Sequence, residues 1–225
     1  MRDDLKVIRL KEKPNFTGFK IPVLYPCHYI PEKLIAFSKM KNEMNKNSFV
    51  HFYEIDEKIL PFARNRGNYI SNINQFQGAI GCDYSMYRNM PIFIQEYQTL
   101  LNHELMFYMQ KLGISVIPNV RYGDECSYSF CFEGIPKNSI LSIGTHGCIK
   151  TEDDINCHIK GIQETIRKLK PEALIFYGAV HEEIEALLYC KKVFYRKFDS
   201  DTSSYYKSVF EKNNPFLEGF EFGGE

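Results

Sequence analysis

The sequence predicts an α/β fold in which parallel strands alternate with helices, curling into an incomplete or distorted TIM-like (β/α) barrel. An open doubly wound sheet is the alternative. Three observations lead there. Short apolar runs rich in strand formers and longer helix-forming stretches alternate roughly seven times along 225 residues, and such alternation implies parallel strands joined by right-handed crossovers. The run VIPNVRYGDE (116–125) reads as a buried strand, yet ends in Asn119, Arg121, Asp124 and Glu125, as a strand does when its tip faces a ligand. The length falls slightly short of the roughly 250 residues of a full barrel, so one domain, 1–225, is expected.

The elements follow in order. Residues 1–20 are charged and expected to be a peripheral N-terminal segment. KIPVLYP (20–26) is a short apolar run, and PEKLIAFSKMKN (31–42) has a helical look. SFVHFYEID (48–56) is a strand, with Phe49, Val50, Phe52 and Tyr53 as its strand formers. EKILPFARNRGNYISNI (57–73) is a helical stretch broken by Pro61 and Gly67, and FQGAIGCD (76–83) is a strand ending at Asp83.

Asn89 and Pro91 start a long helix, because proline at an early turn loses no hydrogen bond. Phe93, Tyr97, Leu101, Leu105, Tyr108 and Leu112 recur at spacings of three and four and form its expected apolar face. Gly113 ends it as a left-handed cap. ISVIPNV (114–120) is a strand, SYSFCFEGIPKN (127–138) a short helix or turn, and SILSIG (139–144) a strand. Thr151, with Asp154 three residues on, opens a helix whose stripe is Ile155, Ile159, Ile162, Ile166 and Leu169, and Pro171 stops it. ALIFYG (173–178), HEEIEALLYC (181–190) and KKVFYRKF (191–198) complete the alternation, and 200–225 is expected to be a loose C-terminal tail.

Composition narrows the function classes. The formal charge is zero, with 28 basic and 28 acidic side chains, so no long-range field steers the chain to nucleic acid or anionic lipid. A DNA-associated accessory role is accordingly disfavoured, and no recognition-helix motif supports one. No run approaches the ~18 apolar residues of a membrane span, and the N-terminus lacks an apolar signal core. A cytoplasmic protein is expected. The seven cysteines lack paired spacing and read as mostly buried free thiols.

Parallel strands bring their C-terminal tips to one face, and each tip delivers polar groups there. The candidate ligand-binding set is Tyr53; Ser85 and Tyr87; Asn119, Arg121, Asp124 and Glu125; Thr145, Gly147 and Lys150; and Tyr177. Asp83, His146 and Glu54 are the candidate catalytic groups. In the turn GTHGC (144–148) two glycines bracket Thr145 and His146 just before a helix start, where free N–H groups and the helix dipole favour an anion. His146 suits proton transfer near neutral pH. Arg121 suits a carboxylate or phosphate, or alternatively an internal bridge to Asp124. Asp83 suits acid–base work or a sugar hydroxyl, or alternatively an Asx-type turn with Ser85. Paired with Glu54 it would allow glycoside chemistry. His51, Asp83 and His146 are a weak metal trio, and the spacings of Cys126 to Cys131 and of Cys148 to Cys157 match no compact zinc motif, so no cofactor is expected. Cys148 and His146 sit too close on one turn for an in-line nucleophile and base. His103, His158 and His181 read as surface or satisfied core residues.

The segments SMYRNMP, IPNVRYGDE, FCFEGIPKNS and IGTHGCIK, in that order, resemble the domain of unknown function 4417, a family of bacteria and their phages. The resemblance covers roughly residues 48–195 and implies a soluble, intracellular setting, often on mobile elements. It carries no catalytic residue. The expected function is a hydrolase of a glycosidic or phosphodiester bond in a nucleotide-derived or phosphorylated small molecule, encoded by a phage or mobile element. The alternative is a non-catalytic binder that sequesters a host nucleotide signal against defence. No Rossmann fingerprint or Walker loop supports redox or NTPase chemistry. The expected partner is an anionic small molecule; the sequence sets neither strand order nor oligomeric state.

Overall fold

The computed structural model describes residues 15–145, 148 and 150–206. Among the described residues strands and α-helices follow in this order: β1 Leu34–Ala36, β2 Phe49–Phe52, α1 Asp56–Asn65, α2 Gly67–Ile73, β3 Gly78–Cys82, α3 Ile92–Lys111, β4 Val116–Ile117, β5 Ile140–Gly144, α4 Glu152–Leu169, β6 Ala173–Tyr177, α5 Glu182–Lys191 and β7 Phe194–Phe198. Every ladder is parallel. One sheet has the order β1-β2-β3-β4 and the other β5-β6-β7. The two are linked by a parallel bridge between Asn119 and Ser142, with Val120 N–H donating to Ser142 O at 2.8 Å and Ser142 N–H to Pro118 O at 2.9 Å. Strand order is consecutive in both sheets, without the reversal of a doubly wound sheet. No ladder joins β7 to β1 among the described residues.

The strand residues alternate between two cores, because successive side chains point to opposite faces. Val50, Phe52, Ala79, Cys82 and Val116 face α1, α2 and α3. Leu141, Ile143, Leu174 and Phe176 face α4 and α5. The opposite parity, Leu34, Phe49, Ile80, Ile117, Ile140, Ile175 and Phe198, meets in one further cluster to which all seven strands contribute. With both faces apolar, polar groups are admitted mainly where the strands end. This is the constraint that positions the site.

Several sequence expectations shift. Residues 31–42 are not one helix; they form β1 and then a 3-10 helix, Phe37–Asn42. Leu34 and Ala36 sit on a sheet edge paired to β2, and that ladder outweighs local helix preference. The break between α1 and α2 falls at Arg66, with Gly67 opening α2, while Pro61 lies in the middle of α1 without ending it. The expected face of α3 is only partly right. Leu105 is buried, but Phe93 is 64% exposed and Leu112 47%. Apolar residues surround this helix on nearly every side, so spacing does not select its face. Polar contacts do: Asn102 accepts from Tyr84 N–H at 2.9 Å and donates to Tyr84 O at 3.3 Å, tying α3 to the loop after β3.

Other expectations hold. Gly113 has φ +84 and closes α3. Thr151 caps α4, its Oγ1 accepting from Asp154 N–H at 3.2 Å, and Ile162 and Leu169 are buried on the predicted stripe. Of the segments read as peripheral or loose, 1–20 and 200–225, Phe16 bridges to Pro22 and residues 201–206 are helical, while 1–14 and 207–225 lie outside the described residues.

Helix α4 packs unusually close to the loop after β4. A Cβ on Gly161 would lie 2.0 Å from the Tyr122 ring. Gly161→Ala is therefore expected to cost about 1–3 kcal/mol as the ring is pushed off the helix, read as a lower urea midpoint at unchanged slope.

Three histidines are buried by this packing. Burial is the leading cause that lowers His51, His103 and His158 from 6.5 to about 4. The unfolded chain therefore takes up protons first as pH falls below about 6.5, and stability is lost between there and about 4. Each histidine adds up to about 1.4 kcal/mol per pH unit in that window. Urea midpoints at about pH 7.5 and about pH 5 check this; a midpoint unchanged at the lower pH contradicts it.

Candidate functional site

The tips of β2, β3 and β4 are joined by one chain of hydrogen bonds. Tyr53 Oη donates to Asn119 Oδ1 at 2.8 Å, and Asn119 Nδ2 donates to Asp83 Oδ1 at 2.8 Å and to Cys82 O at 3.1 Å. Arg121 Nη1 lies 3.4 Å from Asp83 Oδ2, and Nη2 donates to Met86 O at 3.4 Å. From β6, Tyr177 stacks on Tyr53 at 4.9 Å and 12°, and His51 lies 4.4 Å from the same Tyr177 ring. From β5, Gly144 leaves the room this stack needs: a Cβ there would sit 2.8 Å from the Tyr53 ring. Burial, then Asp83, push the Tyr53 hydroxyl well above its usual range, so it is a donor and not a phenolate.

Tyr53, Asp83, Asn119, Arg121 and Tyr177 are thus brought together, as parallel strand tips predict. Other candidates are held elsewhere. Glu54 turns away to the 3-10 helix after β1, accepting from Ser38 N–H at 2.9 Å and Ser38 Oγ at 2.6 Å, and it pairs with Lys58 at 3.6 Å. It makes no carboxylate pair with Asp83. Ser85 donates from N–H and Oγ to Asp56 at 3.1 and 3.0 Å, not to Asp83. Asp124 caps the 3-10 helix Glu125–Ser129 through Cys126 N–H at 3.0 Å and is not the partner of Arg121. Glu125 forms an exposed pair with Lys160 at 2.7 Å. Thr145 is buried and donates to Tyr177 O at 3.1 Å. Lys150 is exposed. His146 and Gly147 lie outside the described residues.

Beside this network opens a cavity of about 320 Å³. The loop after β3 supplies Tyr87 and Arg88, the loop after β4 Arg121 and Tyr122, and α4 contributes Cys157 and His158. Cys148 also lines it, and burial raises its thiol, so it is not a ready thiolate. The first turn of α4 is acidic, and Arg88 pairs with Asp154 at 3.4 Å and Asp153 at 3.9 Å. Those carboxylates already complement the helix dipole, so the anion-favouring group in the cavity is Arg121. Its side chain is 15% exposed, and its Nε has no acceptor among the described residues. Asp83 holds the guanidinium charged against the cost of burial. The sequence alone places His158 among surface or satisfied core residues, because it shares the stripe of Ile155 and Ile162; in the structure it lines the cavity, and its Nε2 lacks a partner among the described residues. Among the described residues no group of three or more His, Cys, Asp or Glu is arranged for a metal ion. No described helix is long and apolar enough to cross a membrane.

The profile of a family described as "Domain of unknown function (DUF4417)" matches residues 14–196. The chain belongs to this family. The match begins well before residue 48, so it includes β1 and the segment leading into it. Two relatives are phage proteins. The chain is 26% identical over 165 residues to the Gene 1 protein of Mycobacterium phage L5, covering 72% of each. It is 24% identical over 168 residues to the Gene 1 protein of Mycobacterium phage D29, covering 73% of this chain and 62% of the relative. No solved structure matches the chain. This DUF4417 domain therefore carries its polar network inside the matched region, from Tyr53 to Tyr177.

Asn119 is 2% exposed and satisfies three partners at once. Asn119→Ala is expected to lower stability by roughly 2–4 kcal/mol, because it orphans Tyr53 Oη, Cys82 O and one Asp83 oxygen. Equilibrium urea unfolding measures this; a loss under about 1 kcal/mol is incompatible with a buried hub.

Proposed function

We propose that this DUF4417 protein binds an anionic, nucleotide-derived or phosphorylated small molecule at the strand tips, with Arg121 receiving the anionic group. The observation that carries the reading is the unpartnered Nε of a largely buried arginine lining a cavity. A buried N–H without an acceptor costs about 1–3 kcal/mol, which a ligand oxygen returns. The two Nη contacts at 3.4 Å are long, leaving the guanidinium capacity for a phosphate or carboxylate. Consecutive strand order and a cluster shared by all seven strands support a distorted (β/α) barrel form, with the cavity at its mouth.

Capture is favoured over hydrolysis. Glu54 faces away, and both Asp83 oxygens are engaged by Asn119 and Arg121, so the described residues offer no paired carboxylates for glycosidic chemistry. The phage relatives support a setting in which sequestering a host nucleotide signal in the host cytoplasm serves the phage.

The test is thermal unfolding of the protein with inorganic phosphate, nucleoside monophosphates, cyclic dinucleotides and NAD-derived nucleotides. At about 100 times Kd a ligand adds about 2.7 kcal/mol of stability. Arg121→Ala is expected to abolish the shift while keeping the fold. If no probe stabilises the wild type, or if Arg121→Ala responds equally, the site is misassigned. Mass spectrometry of the ligand released by heating then separates the two activities: intact ligand means capture, and a cleaved one means hydrolysis.

A further inference from the structure

Helix α4 aims a second buried polar group into the same cavity. His158 is 2% exposed, and its Nε2 has no partner among the described residues. The other side of the ring is tied down: Tyr122 Oη lies 2.8 Å from Nδ1 and 3.2 Å from the His158 carbonyl. A carbonyl only accepts, so when both contacts are made the tyrosine hydroxyl donates to the carbonyl and accepts from Nδ1–H. That leaves the lone pair on Nε2. Gly161, one turn along, lets the Tyr122 ring lie against the helix, since a Cβ there would sit 2.0 Å from it. Burial, with the Arg121 charge second, holds His158 near 4, so the ring is neutral at pH 7.

We propose that His158 Nε2 is the hydroxyl acceptor of this pocket, so that the ligand class is a hydroxyl-bearing phosphate ester: its phosphate on Arg121, and a sugar or polyol O–H donated to His158. Tyr122 is the positioning residue that sets the tautomer. The assignment rests on the anion-binding reading above and deepens it. It explains why a neutral imidazole without a partner is tolerated beside a buried arginine: each offers what the other lacks, a cationic donor and an uncharged acceptor.

Binding of inorganic phosphate and of ribose 5-phosphate, measured by calorimetry on the full chain, tests this. Wild type is expected to bind ribose 5-phosphate about tenfold tighter than phosphate, the worth of about one good hydrogen bond. In His158→Phe the ratio falls to near one while phosphate affinity is kept, and His158→Gln, which retains an acceptor, recovers part of it. A ratio unchanged in His158→Phe overturns the proposal. Phosphate that fails to bind wild type, or that binds Arg121→Ala equally, overturns the parent reading instead. Nitrogen-15 NMR of the wild-type ring is independent of any variant's folding. A protonated Nδ1 and bare Nε2 are expected, with Tyr122→Phe disturbing that state, and a proton found on Nε2 in the wild type refutes the assignment.

Discussion

Asn119 is where the two halves of the molecule are joined. It stands opposite Ser142 in the bridge that links the four-stranded and three-stranded sheets, whose hydrogen bonds are made by its neighbours, Val120 N–H and Pro118 O. Its side chain uses both amide hydrogens, on Cys82 O and Asp83 Oδ1, and its oxygen accepts from Tyr53. One side-chain amide thus fixes the relative positions of three strand tips beside that bridge. A buried amide tolerates no vacancy, because an unmet donor or acceptor there keeps its full desolvation cost. The network is consequently rigid, and a rigid carboxylate is what holds Arg121 in place.

Electrostatics at the mouth are local. The chain carries no net charge, and among the described residues that line the cavity Arg121 is a buried cation, held by Asp83. Arg88, more exposed, is engaged by the acidic first turn of α4. The helix terminus that would ordinarily attract an anion is therefore already complemented by its own side chains, and in the proposed reading that role falls to the Arg121 guanidinium. The proposed anion site is then a single, directional group and not a diffuse positive field, which suits the small ligand proposed above more than a polymeric one.

Packing behind the mouth is equally economical. Gly144 makes room for the Tyr53–Tyr177 stack, and Gly161 makes room for Tyr122. Both glycines are sites where another backbone or ring approaches closely, and neither is needed for a positive φ. Each places an aromatic hydroxyl where it orients a neighbour: Asn119 in the first case, His158 in the second.

The amino-acid sequence by itself determined the strand–helix alternation, the parallel sense it implies, the cap at Thr151, the close of α3 at Gly113, and the gathering of Tyr53, Asp83, Asn119, Arg121 and Tyr177. These depend on local periodicity and on the rule that parallel strands end together. Only the tertiary structure decided which polar tips point inward. Glu54 and Asp83 each sit at a strand exit, yet Glu54 is drawn to Ser38 and Asp83 to Asn119. It also decided that α3 buries Gln95 and Asn102 while exposing Phe93, and that a histidine on an apolar stripe opens onto a cavity. The physical reason is common to all three. A side chain's partner across tens of residues is set by how elements pack, and helix or strand period carries no information about what stands opposite.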